Sequence, residues 1–211
     1  MGLNPDQPAS FGYKVAWLAM GTSDTERVAR ALRLQRSRAA TWAEGVTAAY
    51  KSSIFVTPPL AGWTMAVSFS LCPPDKPEGF VKPLIEELSD LFGDAQYFCT
   101  HRVVEMHVWA RALKGRLIRG YGWIGEKGLT LWDEGVQTKE ERDLGFRFFD
   151  ERSPDVELGD YWARKDLTFP DESCVMQLAG LWSIDPISLE DRFKEPGLGI
   201  LGCLDRAKPA G

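Results

Sequence analysis

Histidine and cysteine are scarce in this 211-residue chain: it has two histidines and four cysteines, and Cys72, Cys99, Cys174 and Cys203 form no Cys-x-x-Cys pair. In a sequence without a secretory signal this spacing argues against a disulfide framework and predicts reduced, buried thiols. No apolar run approaches the roughly 20 residues that a membrane-spanning helix needs. The opening residues, Met1 to Asp6, lack the basic and apolar parts of a signal peptide. The expected compartment is therefore the cytoplasm, with no membrane partner. Gly2 follows Met1, but Asp6 stands where an acylation signal carries Ser or Thr. Excess positive charge is missing too: a net charge of −5 and a pI near 5.2 offer little basic surface to displace counterions from a phosphate backbone, so no nucleic-acid partner is expected. Catalytic signatures are also missing. There is no Gly-x-Ser-x-Gly and no P-loop, and His101-Arg102-Val103 lacks the aspartate of a kinase catalytic loop.

The composition that remains is that of a globular protein with a sizeable core, 44% hydrophobic, with eight tryptophans and eleven phenylalanines. Residues 1–11 read as a flexible tail, 12–194 as one domain and 195–211 as a loose C-terminal tail. Residues 13–20 alternate as a strand. Ser23 and Glu26 have capping-box spacing before a helix at about 24–34, and Thr41 with Glu44 opens a second helix carrying Trp42, Val46, Ala49 and Tyr50. Residues 54–57 suit a short strand, and 63–71 a half-buried one. A Pro-rich connection over 72–77 leads to a helix opened by Pro83 and closed by Gly93. Strands follow over 95–100, 103–113, 116–124 and 129–132, joined by short glycine-containing links that predict an antiparallel meander. Thr138 opens a further helix, 146–149 suits another strand, and Asp171 caps a helix with Val175, Leu178, Ala179 and Trp182 inward. The expected fold class is α+β, an antiparallel meander sheet with helices packed mainly on one face.

Three local patterns invite chemistry. Gly120, Gly122 and Gly125 match the letters of a dinucleotide fingerprint, but Tyr121 and Trp123 separate them and a strand, not a helix, is expected next. Cys99, His101, Glu105 and His107 have the two-residue offsets of strand ligands, yet no third histidine exists to complete an imidazole-rich site; structural histidines explain the pattern more simply, and no metal or cofactor is expected. Glu105, His107, Trp109 and Arg111 alternate along one strand, with Arg119 on the neighbouring arm. A small-molecule enzyme or sensor would use this row, and a solvated, charge-laced strand face is the plain alternative.

Charge distribution says more. Residues 133–172 hold thirteen acids against six bases, net −7, leaving +2 for the rest of the chain. A single-sign field speeds encounter with a basic partner, although an acidic solubilising surface would look the same. The expected contacts are Glu134, Glu140, Glu141, Asp143, Asp150 and Glu151, with Trp123 and Trp132 as anchors.

Residues 12–18 (Gly-Tyr-Lys-Val-Ala-Trp-Leu), 62–64 (Gly-Trp-Thr), 95–102 (Ala-Gln-Tyr-Phe-Cys-Thr-His-Arg), 109–111 (Trp-Ala-Arg), 117–121 (Leu-Ile-Arg-Gly-Tyr) and 138–141 (Thr-Lys-Glu-Glu) together resemble a bacterial immunity-protein family. Its members partner type VI secretion and other polymorphic toxins, particularly a restriction-endonuclease-like DNase effector. The resemblance implies a non-enzymatic inhibitor of a cognate toxin acting in the cytoplasm. It assigns no functional residues.

Overall fold

The computed structural model describes residues 2–73 and 76–204. Nine strands form one sheet: β1 (Val15–Met20), β2 (Gln35–Ala40), β3 (Ile54–Val56), β4 (Thr64–Ser68), β5 (Asp94–His101), β6 (Met106–Leu113), β7 (Arg116–Ile124), β8 (Leu129–Glu134) and β9 (Gly199–Cys203). Their order is β2-β9-β3-β4-β1-β5-β6-β7-β8, antiparallel at every pairing. The helices are α1 (Thr25–Ala31), α2 (Trp42–Ala49), α3 (Pro77–Phe92), α4 (Lys139–Asp143), α5 (Glu172–Trp182) and α6 (Leu189–Arg192). The class is α+β, and β5 to β8 run as the expected meander.

The helices do not gather on one face, as the sequence had led us to expect. α2 and α5 cover the face that carries Trp17, Phe55, Phe98, Trp109 and Trp123, while α1 and α3 cover the face that carries Leu18, Val56, Tyr97 and Val108. Burial on both faces explains why β1 and β4 contain no exposed residue, so 64–68 is a fully buried strand and not a half-buried one. Each large side chain removed from water on either face contributes about 1.5–3 kcal/mol.

Residues 2–11 and 195–204 are tied into the fold and are not loose tails. The Asp6 carboxylate accepts from the backbone N–H groups of Trp42 (2.6 Å) and Ala43 (3.0 Å), capping α2, and Phe11 lies in the core. β9 sits between β2 and β3, inside the sheet. Its glycines are needed there, because a Cβ on Gly199 would lie 2.4 Å from both the Phe55 ring and the Val56 carbonyl oxygen. Residues 205–211 of the expected C-terminal tail, and residues 74–75 of the Pro-rich connection, fall outside the described residues. α3 begins at Pro77, so Pro83 lies inside the helix and does not open it, while Gly93 closes it at φ 85°. α1 is capped by Asp24, whose carboxylate accepts from the Arg27 N–H at 2.8 Å; the expected Ser23 box is not used.

Candidate partner-binding site

Most of the acids chosen from the sequence are spent inside the fold. Glu141 is fully buried: its Oε1 accepts from Arg119 Nε (3.0 Å) and Trp109 Nε1 (2.9 Å), and its Oε2 from the Thr138 N–H (2.7 Å). Arg119, 3% exposed, also pairs with Asp133. Burial alone would lower its pKa, but Glu141 and Asp133 more than offset that and raise it. Glu134 accepts from Lys82 Nζ (2.6 Å) and Trp132 Nε1 (3.2 Å). Asp143 pairs with Lys139, and Asp150 with Arg152. Both oxygens of Glu151 bind Thr130 on β8. Glu140 remains half-exposed in the first turn of α4. The anchors fail on burial: Trp123 and Trp132 are 2% and 4% exposed and lie in cores on opposite faces of the sheet. A sequence window counts charges but not their partners. Lys82, Arg102 and Arg119, all outside residues 133–172, fold against its acids and cut its net charge from −7 to −4.

The strand row is also divided. Glu105 lies in the turn before β6 with φ 51°. Trp109 is buried beneath Phe146 and Phe148. Arg111 pairs with Asp94 at 2.6 Å against the Trp182 ring, and Arg119 belongs to the Glu141 network. Cys99 and His101 point to the α1/α3 face and His107 to the other, so the metal-like grouping cannot converge. Burial also pushes the Cys99 thiol well up, removing the thiolate that nucleophilic chemistry needs. Gly120 is a packing position, where a Cβ would meet the Trp132 ring at 2.1 Å, and a short 3₁₀ turn and β8 follow β7 where a phosphate-binding fingerprint needs a helix.

The structure does assemble a cleft of about 1220 Å³ beside the start of α5. Residues 144–171, between α4 and α5, contain only short 3₁₀ turns, and connections of that length in a compact domain are commonly functional. This one is held in place. The Phe149 N–H donates to the Thr168 carbonyl, the Thr168 N–H to the Arg147 carbonyl, and Tyr161 Oη bonds both backbone groups of Asp150. An aromatic stack runs outward from Trp123 to Phe169 (5.7 Å), Phe149 (4.6 Å) and Trp162 (5.4 Å). It ends with Trp162 47% and Phe169 53% exposed.

Those two rings and Tyr13 wall the cleft, and Glu105, Asp171, Glu172 and Asp185 make it acidic against Arg102, the single cation among the described lining residues. Arg102 donates to Glu172 Oε2 through Nη2 (2.5 Å) and Nε (3.1 Å) and lies 5.4 Å over the Tyr13 ring. Glu172 Oε1 and His107 Nδ1 are buried with no hydrogen-bond partner among the described residues. Burial lowers the His107 pKa, partly opposed by Glu172 and Asp171, so the imidazole is neutral at pH 7. Asp171 caps α5 through the Cys174 N–H (2.8 Å). The exposed acids Asp155, Glu157 and Asp160 extend the negative surface along the same loop. Sequence reasoning missed Trp162, Phe169 and Glu172. The available signal was a long helix- and strand-free interval that was rich in both rings and acids. The chain matches no protein family, no curated protein and no solved structure in comparisons with known proteins.

Proposed function

We propose that this chain is an immunity protein that binds and neutralises a cognate toxin acting in the cytoplasm, a nuclease effector of a type VI secretion system. The observation that carries the reading is the 144–171 loop, where Trp162 and Phe169 stand exposed among Asp155, Glu157, Asp160 and Asp171. Large rings held out of the core by their own neighbours supply anchor area at low entropic cost, and surrounding carboxylates steer a basic surface towards them. In this reading the chain works by binding, not by catalysis. A nuclease suits such a ligand because its substrate channel must be positively charged to hold a phosphate backbone. No helix among the described residues is long and apolar enough to cross a membrane. The test is to sequence the genes beside this one and express any toxin encoded there with and without the chain. Restored growth together with a stable purified complex is the expected result; growth arrest that the chain does not relieve would refute the proposal.

A second reading rests on His107, whose orphaned Nδ1 lines the cleft near Glu105. A small molecule that copurifies with the protein, and is lost on His107→Ala with the fold intact, would favour a sensor or enzyme.

A further inference from the structure

We infer that the acidic cleft is the receptor for an arginine side chain projecting from the partner protein; this rests on the binding reading above and specifies its chemistry. Charge sets the class of occupant, because among the described lining residues four carboxylates face one cation, Arg102, while His107 is neutral. Asp171 and Glu172 sit at the start of α5, the first as its N-cap and the second in its first turn. Hydrogen-bonding capacity then locates it. Glu172 uses Oε2 on Arg102 and leaves Oε1 buried and unmatched, and the 96% buried His107 leaves Nδ1 likewise. In its Nε2-protonated tautomer the neutral imidazole presents Nδ1 as an acceptor, and in that form it would join Glu172 Oε1 in accepting from an incoming donor. An unmatched buried acceptor carries a desolvation penalty that an incoming donor would relieve.

Ring geometry favours guanidinium over ammonium. Trp162, the half-exposed outer ring of the stack, is the surface on which a planar cation would stack, and only guanidinium combines stacking with several in-plane donors. The protein already shows the arrangement once: Arg102 lies over Tyr13 while bonding Glu172. The cleft that this carboxylate lines has the volume to hold a second guanidinium.

The test titrates the full chain with N-acetyl-arginine amide and with its lysine and citrulline counterparts, following backbone amides and tryptophan indoles by NMR. Arginine should give saturable shifts confined to residues around His107, Trp162, Phe169 and Glu172, with a Kd on the order of 1 mM for so small a ligand. Lysine should bind more weakly, and uncharged citrulline should not bind. Glu172→Gln, which keeps the side-chain shape, should weaken arginine about tenfold or more, and Trp162→Leu should weaken it independently. Absence of saturable arginine shifts, equal shifts with citrulline, or an unchanged Kd in Glu172→Gln would overturn the inference. Toxin neutralisation that survives both substitutions in a folded protein would also overturn it while leaving the immunity reading intact. If no toxin is neutralised at all, the immunity reading fails and the titration still decides the chemistry of the cleft.

Discussion

Replacing Glu141 should lower the stability of the fold, not weaken a partner contact. The carboxylate is fully buried and takes three donors, from Arg119, Trp109 and the Thr138 backbone. Removing one member of a buried ion pair costs about 3–5 kcal/mol. Arg119 keeps Asp133 and the carbonyls of Gly120, Glu134 and Gly135, so the low end of that range applies to the pair. The indole N–H of Trp109 loses its acceptor in a dry interior, about 1–3 kcal/mol, and one half of the reciprocal cap on α4 disappears, about 1 kcal/mol. Because the three losses share one side chain they do not add fully, and Glu141→Ala should cost about 3–5 kcal/mol, a large part of a typical 5–15 kcal/mol stability. Glu141→Gln keeps the shape and one oxygen and should cost about 1–3 kcal/mol. Urea melts at pH 7 read both, with the midpoint moving and the slope unchanged. A loss below about 1 kcal/mol for Ala would refute the network. So would folded Glu141→Gln protein that associates more slowly with the toxin, since the carboxylate exposes no surface to it.

Reversing Asp155, Glu157 and Asp160 together to Lys should slow association with the toxin about tenfold at low salt and flatten its salt dependence, with stability nearly unchanged; identical stopped-flow rates would remove this loop from the interface. His107 has a depressed folded pKa, so the unfolded chain takes up its proton first. Stability is complete above about pH 6.5 and falls as pH drops below it towards the folded value, by at most about 1.4 kcal/mol per unit. Comparing urea midpoints at pH 7.5 and 5.5 should show a larger drop for the native chain than for His107→Gln, and equal drops would refute this. Gly120→Ala drives a Cβ into the Trp132 ring and should lower stability by about 1–3 kcal/mol in the same melts, whereas a neutral outcome would contradict the packing role. Ending the chain after residue 198 removes a strand from within the sheet, and the product should lack the cooperative thermal transition of the full chain.

Periodicity and turn chemistry made much of the fold legible in advance. Glycine-bearing links placed the β5 to β8 meander, Thr41 and Asp171 marked the starts of α2 and α5, and Gly93 marked the end of α3. β2 and β9 were not legible. β2 is an edge strand made of Gln35, Arg36, Ser37 and Arg38, whose charged, solvent-facing residues carry no hydrophobic alternation. β9 holds two glycines that read as a tail, yet Gly199 is required because the Phe55 ring and the Val56 carbonyl of β3 press against its backbone.

For the site, the sequence determined the sign of the field and the abundance of rings, because charge and residue type are properties of the chain itself. Which acids remain available to a partner was decided by tertiary structure alone. Lys82, Arg102 and Arg119 reach the 133–172 segment only after folding, Glu141 is taken into the core by Arg119 and Trp109, and the 144–171 loop holds Trp162 and Phe169 at the surface while Trp123 and Trp132 are buried. Pairing and burial are long-range relations between residues far apart in the chain. No local window contains them, so the surface could be named by its charge in advance but not by its residues.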